Sequence, residues 1–262
     1  MLVCMKRQLS LALAEATGAP KVRKRRQVGR VLVPLGRRPS AARAGHGFVP
    51  HVTREAHSER CPVHVTMRRV ALAPSFRSER VSNAIMFQLA RASRAGSGIR
   101  VVQFSIQDDH LHLMLEGTDA QDLSRQAQKL FSRIALAVNA VALRRGSLFR
   151  DRHHRHELKT PTEVRRALVY ILFNSRKHAG REGLLSRAGH ATFDPLTSAP
   201  WFEGWAPRAG PSPTAAPYAR ACHEVVIGLA RPTVNAQTWL AQTGYRRAGG
   251  PIRFDELPRI AR

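Results

Sequence analysis

Residues 110–116 read His-Leu-His-Leu-Met-Leu-Glu, and this alternation constrains the fold more than any other stretch of the chain. Successive side chains of a β-strand point to opposite faces. Leu111, Leu113 and Leu115 therefore share one face, and His110, His112, Met114 and Glu116 share the other. The leucine face must be covered, which demands a sheet with a second layer against it. The preceding residues complete a hairpin. Within 99–107, Val102, Phe104 and Ile106 are expected on one side and Val101, Gln103 and Ser105 on the other, with Asp108 and Asp109 in the turn. Val63, Val65 and Met67, alternating with His64, Thr66 and Arg68, predict a further strand.

Elsewhere the period becomes helical. Val81, Ile85 and Leu89 recur one turn apart within 78–95, a segment closed by Arg91, Arg94 and then Gly96. Thr118 and Gln121 have capping-box spacing before a long stripe of Leu123, Ala127, Leu130, Ile134, Val138 and Val141, which Gly146 ends. Residues 147–159 predict another strand or hairpin arm. Thr160, Pro161 and Glu163 mark the start of a last helix, expected to run to about His178 and stop at Gly180. The order strand, helix, strand, strand, helix, strand, helix predicts an α+β fold: an antiparallel sheet with helices packed on one face. Three regions are expected: a basic arm over 1–60, the α+β domain over 61–180, and a C-terminal extension over 181–262. The extension holds a Pro- and Trp-containing connector and short helical pieces around 217–229 and 236–242.

The formal net charge is +25, which points to a polyanionic partner. Residues 1–60 carry net +10, residues 61–190 net +12 and residues 191–262 only +3. The run Lys21, Arg23, Lys24, Arg25 and Arg26 reads as a flexible arm suited to phosphate. A membrane surface is the competing polyanion. No long basic amphipathic helix favours it, and no apolar run approaches the roughly 18 residues of a span. The apolar stretch Leu9 to Ala14 runs into Glu15, which argues against a signal peptide. Cys4, Cys61 and Cys222 are scattered and form no C-x-x-C pair. That fits a reducing compartment and argues against disulfides or a cysteine-based zinc site.

His110 and His112 leave the same strand face, roughly 7 Å apart along the backbone. Two imidazoles so placed can chelate one divalent ion, although such pairs are more often structural. Tyr170 and Asn174 lie four apart in the capped helix, hence one turn apart on one face. Taken alone, the pair reads more readily as a packed ring and an exposed amide. Together the four residues suit one chemistry. A phenol with a pKa near 10 is a poor nucleophile at neutral pH. A metal on a phosphate oxygen would favour in-line attack, and a helix would hold the phenol rigidly for it. The product would be a covalent phosphotyrosine, which a free DNA 3′-hydroxyl could reverse to give strand transfer.

The histidine–leucine–histidine strand, the long helix, the basic strand and the helix carrying Tyr170-Ile171 and Asn174 resemble the single-tyrosine HUH transposases. Within them the pattern is most similar to the REP-associated tyrosine transposase-like proteins of bacteria. The resemblance covers about 61–180 and includes Pro62-Val63-His64-Val65-Thr66 and Phe149-Arg150-Asp151-Arg152-His153-His154. It implies a ferredoxin/RRM-like HUH core, Tyr170 as nucleophile, and His110, His112 and Asn174 as ligands of Mg²⁺ or Mn²⁺. It also implies single-stranded or hairpin DNA as partner, no membrane association, and a cytoplasmic, nucleoid-associated location; monomer and homodimer both stay open. One departure is Ser175, where family members often carry Pro.

Several residues keep two readings. Arg144, Arg145, Arg150, Arg152 and Arg155 form a basic stretch that is either solvated or a DNA backbone track. His153, His154 and His156 could touch phosphate or help a structural zinc, though their spacing matches no common zinc module. Glu116 shares the histidine face, as an outer ligand or base or as a solvated carboxylate. Phe149, Trp201, Trp205, Trp239 and Tyr245 are base-stacking platforms or packing residues. Neither Tyr218 nor Tyr245 has a candidate ligand one turn away on a marked helix, so no second nucleophile is assigned. The rival functions are a non-catalytic binder of structured DNA or RNA on the same scaffold and a protein organised by structural zinc.

Overall fold

A computed structural model of the chain describes residues 57–94, 98–175, 194–206 and 231–258. The basic arm up to residue 56, the expected helical piece at 217–229, and Gly96, His178, Gly180 and Tyr218 lie outside the described residues. In chain order the main elements are β1 (Val63–Arg68), α1 (Glu79–Ala92), β2 (Ile99–Ile106), β3 (His110–Gly117), α2 (Ala120–Val141), β4 (His154–Glu157) and α3 (Pro161–Leu172). A short α4 (Trp239–Gln242) and a 3-10 turn at Gly244–Ala248 follow. The four strands form one antiparallel sheet in the order β2-β3-β1-β4. With helices between β1 and β2 and between β3 and β4, this is the split βαβ arrangement of ferredoxin-like domains.

The sheet separates two cores. On its leucine face, α1 and α2 bring Val81, Ile85, Leu89, Leu123, Leu130 and Ile134 against Val63, Val65, Leu111, Leu113 and Leu115. The second core, which contains Met114 of the histidine face, holds Val164, Leu168, Ile171 and Leu172 of α3 with Leu240, Tyr245 and Ile252. The expected α+β antiparallel architecture is present, but its layering is richer than helices on one face. The apolar stripe of α3 needs cover of its own and finds it on the other side of the sheet, with the C-terminal segments.

Local chemistry explains the element ends. Thr160 accepts from the Glu163 backbone N–H (3.2 Å) while the Glu163 carboxylate accepts from the Thr160 N–H (2.9 Å), the capping box expected at α3. For α2 the cap is Asp119 rather than Thr118. Its carboxylate accepts from Asp122 N at 2.7 Å, a charge-assisted bond at the positive end of the helix. α2 ends at Val141, before Gly146, because Leu143 already takes a positive φ of 51°.

One extra residue changes the phase of β2. Val101 pairs with Leu115 and Gln103 with Met114, so Val102 is a bulge. Val101 therefore joins Phe104 and Ile106 in the core under α1 and α2, while Val102 belongs to the core of α3. The simple alternation expected for 99–107 fails at this point for that reason. The outer edge of β2 is covered as well. Leu196 O accepts from Ile106 N, Ser198 N donates to Phe104 O, and Val234 N donates to Val101 O, at 2.8 to 3.0 Å.

Candidate functional site

β1 lies beside β3 with Thr66 opposite His112 and His64 opposite Met114. β4 lies on the other side of β1, with His154 opposite Thr66 and His156 opposite His64. Five histidines thus come from one face of three adjacent strands. His110 and His112 are buried, with ring centroids 4.6 Å apart and nearly perpendicular. They sit closer than strand spacing alone implies because the rings lean together. From α3, Tyr170 meets His112 edge-on at 4.9 Å between centroids and His64 at 6.0 Å. The geometry thus sets Tyr170 beside two histidines from distant parts of the chain.

Each histidine of the pair is held through Nδ1. On His110, Nδ1 makes a short hydrogen bond with the Asp109 carboxylate. On His112, Nδ1 lies 3.2 Å from His64 Nε2 and 3.1 Å from Thr66 Oγ1. Burial works against charge on Asp109, but its bond to His110 and the nearby charges outweigh that and hold its carboxyl below the usual range. Burial, reinforced by His154 and His156, pulls His64 down to about 4, so it is neutral at physiological pH. Carboxylate- and acceptor-backed imidazoles of this kind are a common outer shell of metal-ligating histidines, with Nε2 left as the coordinating atom.

α3 ends at Leu172 with Phe173 as its C-cap, and helical backbone resumes at Asn174. Its side chain is fully buried, and neither Oδ1 nor Nδ2 finds a hydrogen-bond partner among the described residues. A buried amide left in that state costs about 1–3 kcal/mol, and an oxygen-seeking ligand would recover it. Two imidazoles and an amide oxygen fit a divalent cation as a donor set. Among the described residues, no group of three or more His, Cys, Asp or Glu side chains is arranged to hold a metal.

Other candidates resolve into structure. Glu116 is fully buried and receives bonds from Arg100, Gln237 N, Thr238 N and Thr238 Oγ1. It serves as a junction between β2, β3 and α4, not as a solvated carboxylate. Tyr245 is buried, with its hydroxyl donating to Gly204 O. Phe149 packs edge-on between Phe76 and Phe131, and Trp205 stacks on Phe254, so both are packing residues. Trp201 is buried beside Phe104, whereas Trp239 is half-exposed under the Arg247 guanidinium. His153 stacks on Phe131, part of the α1/α2 core, whereas His154 and His156 pair with β1; the three histidines are not one cluster.

Among the basic residues, Arg145 and Arg150 are exposed and Arg152 and Arg155 half-buried. Arg144 instead binds Asn139 Oδ1 and Ser147 O, closing the loop after α2. A cleft of about 560 Å³ opens beside Tyr170, lined among others by His64, His156, Thr162, Arg166 and Leu257. The sequence pattern alone does not single out His64 as part of the site. Its alternation on β1 is visible there, but the strand order that sets it beside His112 is not.

No family model matches the chain, and no curated protein matches it. Among solved structures it is similar to a REP-associated tyrosine transposase bound to a REP hairpin. The two share 11% identity over 72% of this chain and 93% of that one, with a TM-score of 0.42. No helix among the described residues is long and apolar enough to cross a membrane.

Proposed function

We propose that the protein is a metal-dependent, single-tyrosine DNA transesterase that cleaves and rejoins single-stranded, hairpin-containing DNA. The observation that carries this reading is the approach of Tyr170 to His112 at 4.9 Å, beside a second buried histidine whose Nδ1 is backed by a carboxylate. His110, His112 and Asn174 would hold Mg²⁺ or Mn²⁺. The chemistry such an ion supplies is charge neutralisation at a non-bridging phosphate oxygen. α3, anchored by its capping box and by Arg165, fixes the phenol for in-line attack. The phenol gives up its proton and its oxygen bonds to phosphorus. The bond to the 3′-oxygen breaks, and that oxygen takes up a proton. Attack by a 3′-hydroxyl on the phosphotyrosine runs the same exchange backwards and joins strands.

In this reading residues 61–180 form the catalytic domain and 181–262 its extension. Arg145, Arg150, Arg152 and Arg155, with the basic arm, contact phosphates. The setting is the cytoplasm of a bacterium, near its DNA. The test is a covalent adduct. Protein, labelled single-stranded hairpin DNA and Mg²⁺ or Mn²⁺ are incubated and resolved on a denaturing gel beside Tyr170→Phe and His112→Ala. A DNA-linked band that disappears in both variants is the expected result. No band over a broad panel of hairpins that the protein binds would make it a non-catalytic binding protein instead.

A further inference from the structure

We propose that His64 is a positioning residue for metal binding: with Thr66 it holds the His112 ring in the orientation and tautomer in which Nε2 can ligate. This rests on the function proposed above and adds a residue that acts through His112 rather than on the substrate. The observation is the three-centre contact at His112 Nδ1, 3.2 Å from His64 Nε2 and 3.1 Å from Thr66 Oγ1. Both partners reach it because β1 and β3 pair in a register that puts Thr66 opposite His112 and His64 one step along the same face.

The tautomer logic follows from the contact. A neutral imidazole has one N–H and one lone pair. If Nε2 of His112 gives its lone pair to a metal, the proton must sit on Nδ1, and Nδ1–H needs an acceptor. Thr66 alone does not decide the matter, because its hydroxyl rotates and could equally donate to Nδ1, which favours the non-ligating tautomer. In the role proposed for it, His64 accepts through Nε2 with its own proton on Nδ1, which keeps the His112 proton on Nδ1. Were His64 to donate instead, the His112 proton would move to Nε2 and close the coordinating position. His64 also packs at 5.2 Å from His112 and 6.0 Å from Tyr170 between ring centroids, so it steadies the imidazole between strand and helix.

Two amide replacements separate this role from simple space filling. In His64→Gln the terminal amide falls near the place of Nε2 and can accept from His112. In His64→Asn it falls near the place of Nδ1 and cannot reach. The experiment measures Mn²⁺ binding alone, without DNA, from the free Mn²⁺ signal by electron paramagnetic resonance, for wild type, both variants and His112→Ala. Circular dichroism in chelator checks folding. His64→Asn is expected to weaken Mn²⁺ binding about 10-fold or more, and His64→Gln to stay within about 3-fold of wild type. At saturating Mn²⁺ the His64→Asn adduct yield should recover. Equal affinities in wild type and folded His64→Asn, with binding abolished in His112→Ala, would overturn the role of His64 and leave the metal site standing. Equal losses in Asn and Gln variants would reduce His64 to a packing residue. Wild type that binds no Mn²⁺ would overturn the metal site itself and His64 with it.

Discussion

The carboxylate of Glu116, on the strand that carries both histidines, caps the start of α4: it accepts from Thr238 N at 3.0 Å and Thr238 Oγ1 at 2.7 Å. The other oxygen accepts from Arg100 and from Gln237 N. A fully buried side chain with this many charge-assisted bonds cannot be removed cheaply. Glu116→Ala leaves Arg100 and two amides without their acceptor and should lower stability by about 3–5 kcal/mol in urea unfolding. Glu116→Gln, which keeps the shape and loses the charge, should cost less. An unchanged midpoint for Glu116→Ala would show that α4 does not depend on this junction.

Gly204 tests whether the C-terminal segments close the second core. A Cβ at this position would run into the Tyr245 hydroxyl and the Phe202 ring, both buried. Gly204→Ala should lower stability by about 1–3 kcal/mol through overpacking, read as a lower thermal midpoint. The same change at Gly146, where a Cβ meets nothing within 4 Å but φ is +95°, tests backbone strain alone.

Acid sensitivity should arrive in two steps in metal-free buffer with chelator. His64 has a folded pKa of about 4 against an unfolded value near 6.5, so below 6.5 the unfolded chain binds a proton that the folded chain refuses. Stability then falls as pH drops from 6.5 to about 4, by on the order of 3 kcal/mol at most. Asp109, Glu157 and Glu163 have folded pKa values below their ordinary ones, so their stabilisation is present above about 4.3 and disappears as pH falls through the folded values. Urea midpoints at pH 7.5, 5.5, 4.5 and 3 measure both steps. His64→Gln should flatten the first and leave the second.

The arginines of 144–155 should divide by what they touch. Arg145→Ala and Arg150→Ala, at exposed positions, should weaken single-stranded DNA binding and make it less steeply dependent on salt, the slope falling by roughly 0.7 for each phosphate no longer neutralised. Arg144→Ala breaks bonds to Asn139 and Ser147 and should lower the thermal midpoint, with little change in salt slope. Filter binding over a range of KCl, with melting curves alongside, distinguishes the two classes.

Local pattern makes most of the sheet legible from the amino acids alone. Leu111, Leu113 and Leu115 against His110 and His112 follow from strand alternation, and Thr160, Pro161 and Glu163 fix the start of α3 by themselves. The features that escape such a reading depend on pairing between distant segments. Val102 changes phase only because β3 has one residue fewer opposite it. Glu116 reads in the sequence as an outer ligand, a base or a solvated carboxylate, and its actual partners, Gln237 and Thr238, come more than 120 residues later. Periodicity puts Asn174 on the helix face with Tyr170. The break at Phe173, whose side chain lies in the second core, falls between the two residues, and periodicity does not record it.

The grip of the C-terminal segments on α3 has a bearing on synthesis. Arg165 holds the Glu256 carboxylate through both of its terminal nitrogens and also donates to the carbonyls of Gly249 and Pro251. The histidine strand leaves the ribosome long before these residues exist. A nascent chain can therefore complete its leucine-faced core and set His110 and His112 side by side while the helix bearing Tyr170 still lacks its brace. Tyr170, the proposed nucleophile, is thus braced only after the two histidines are in place.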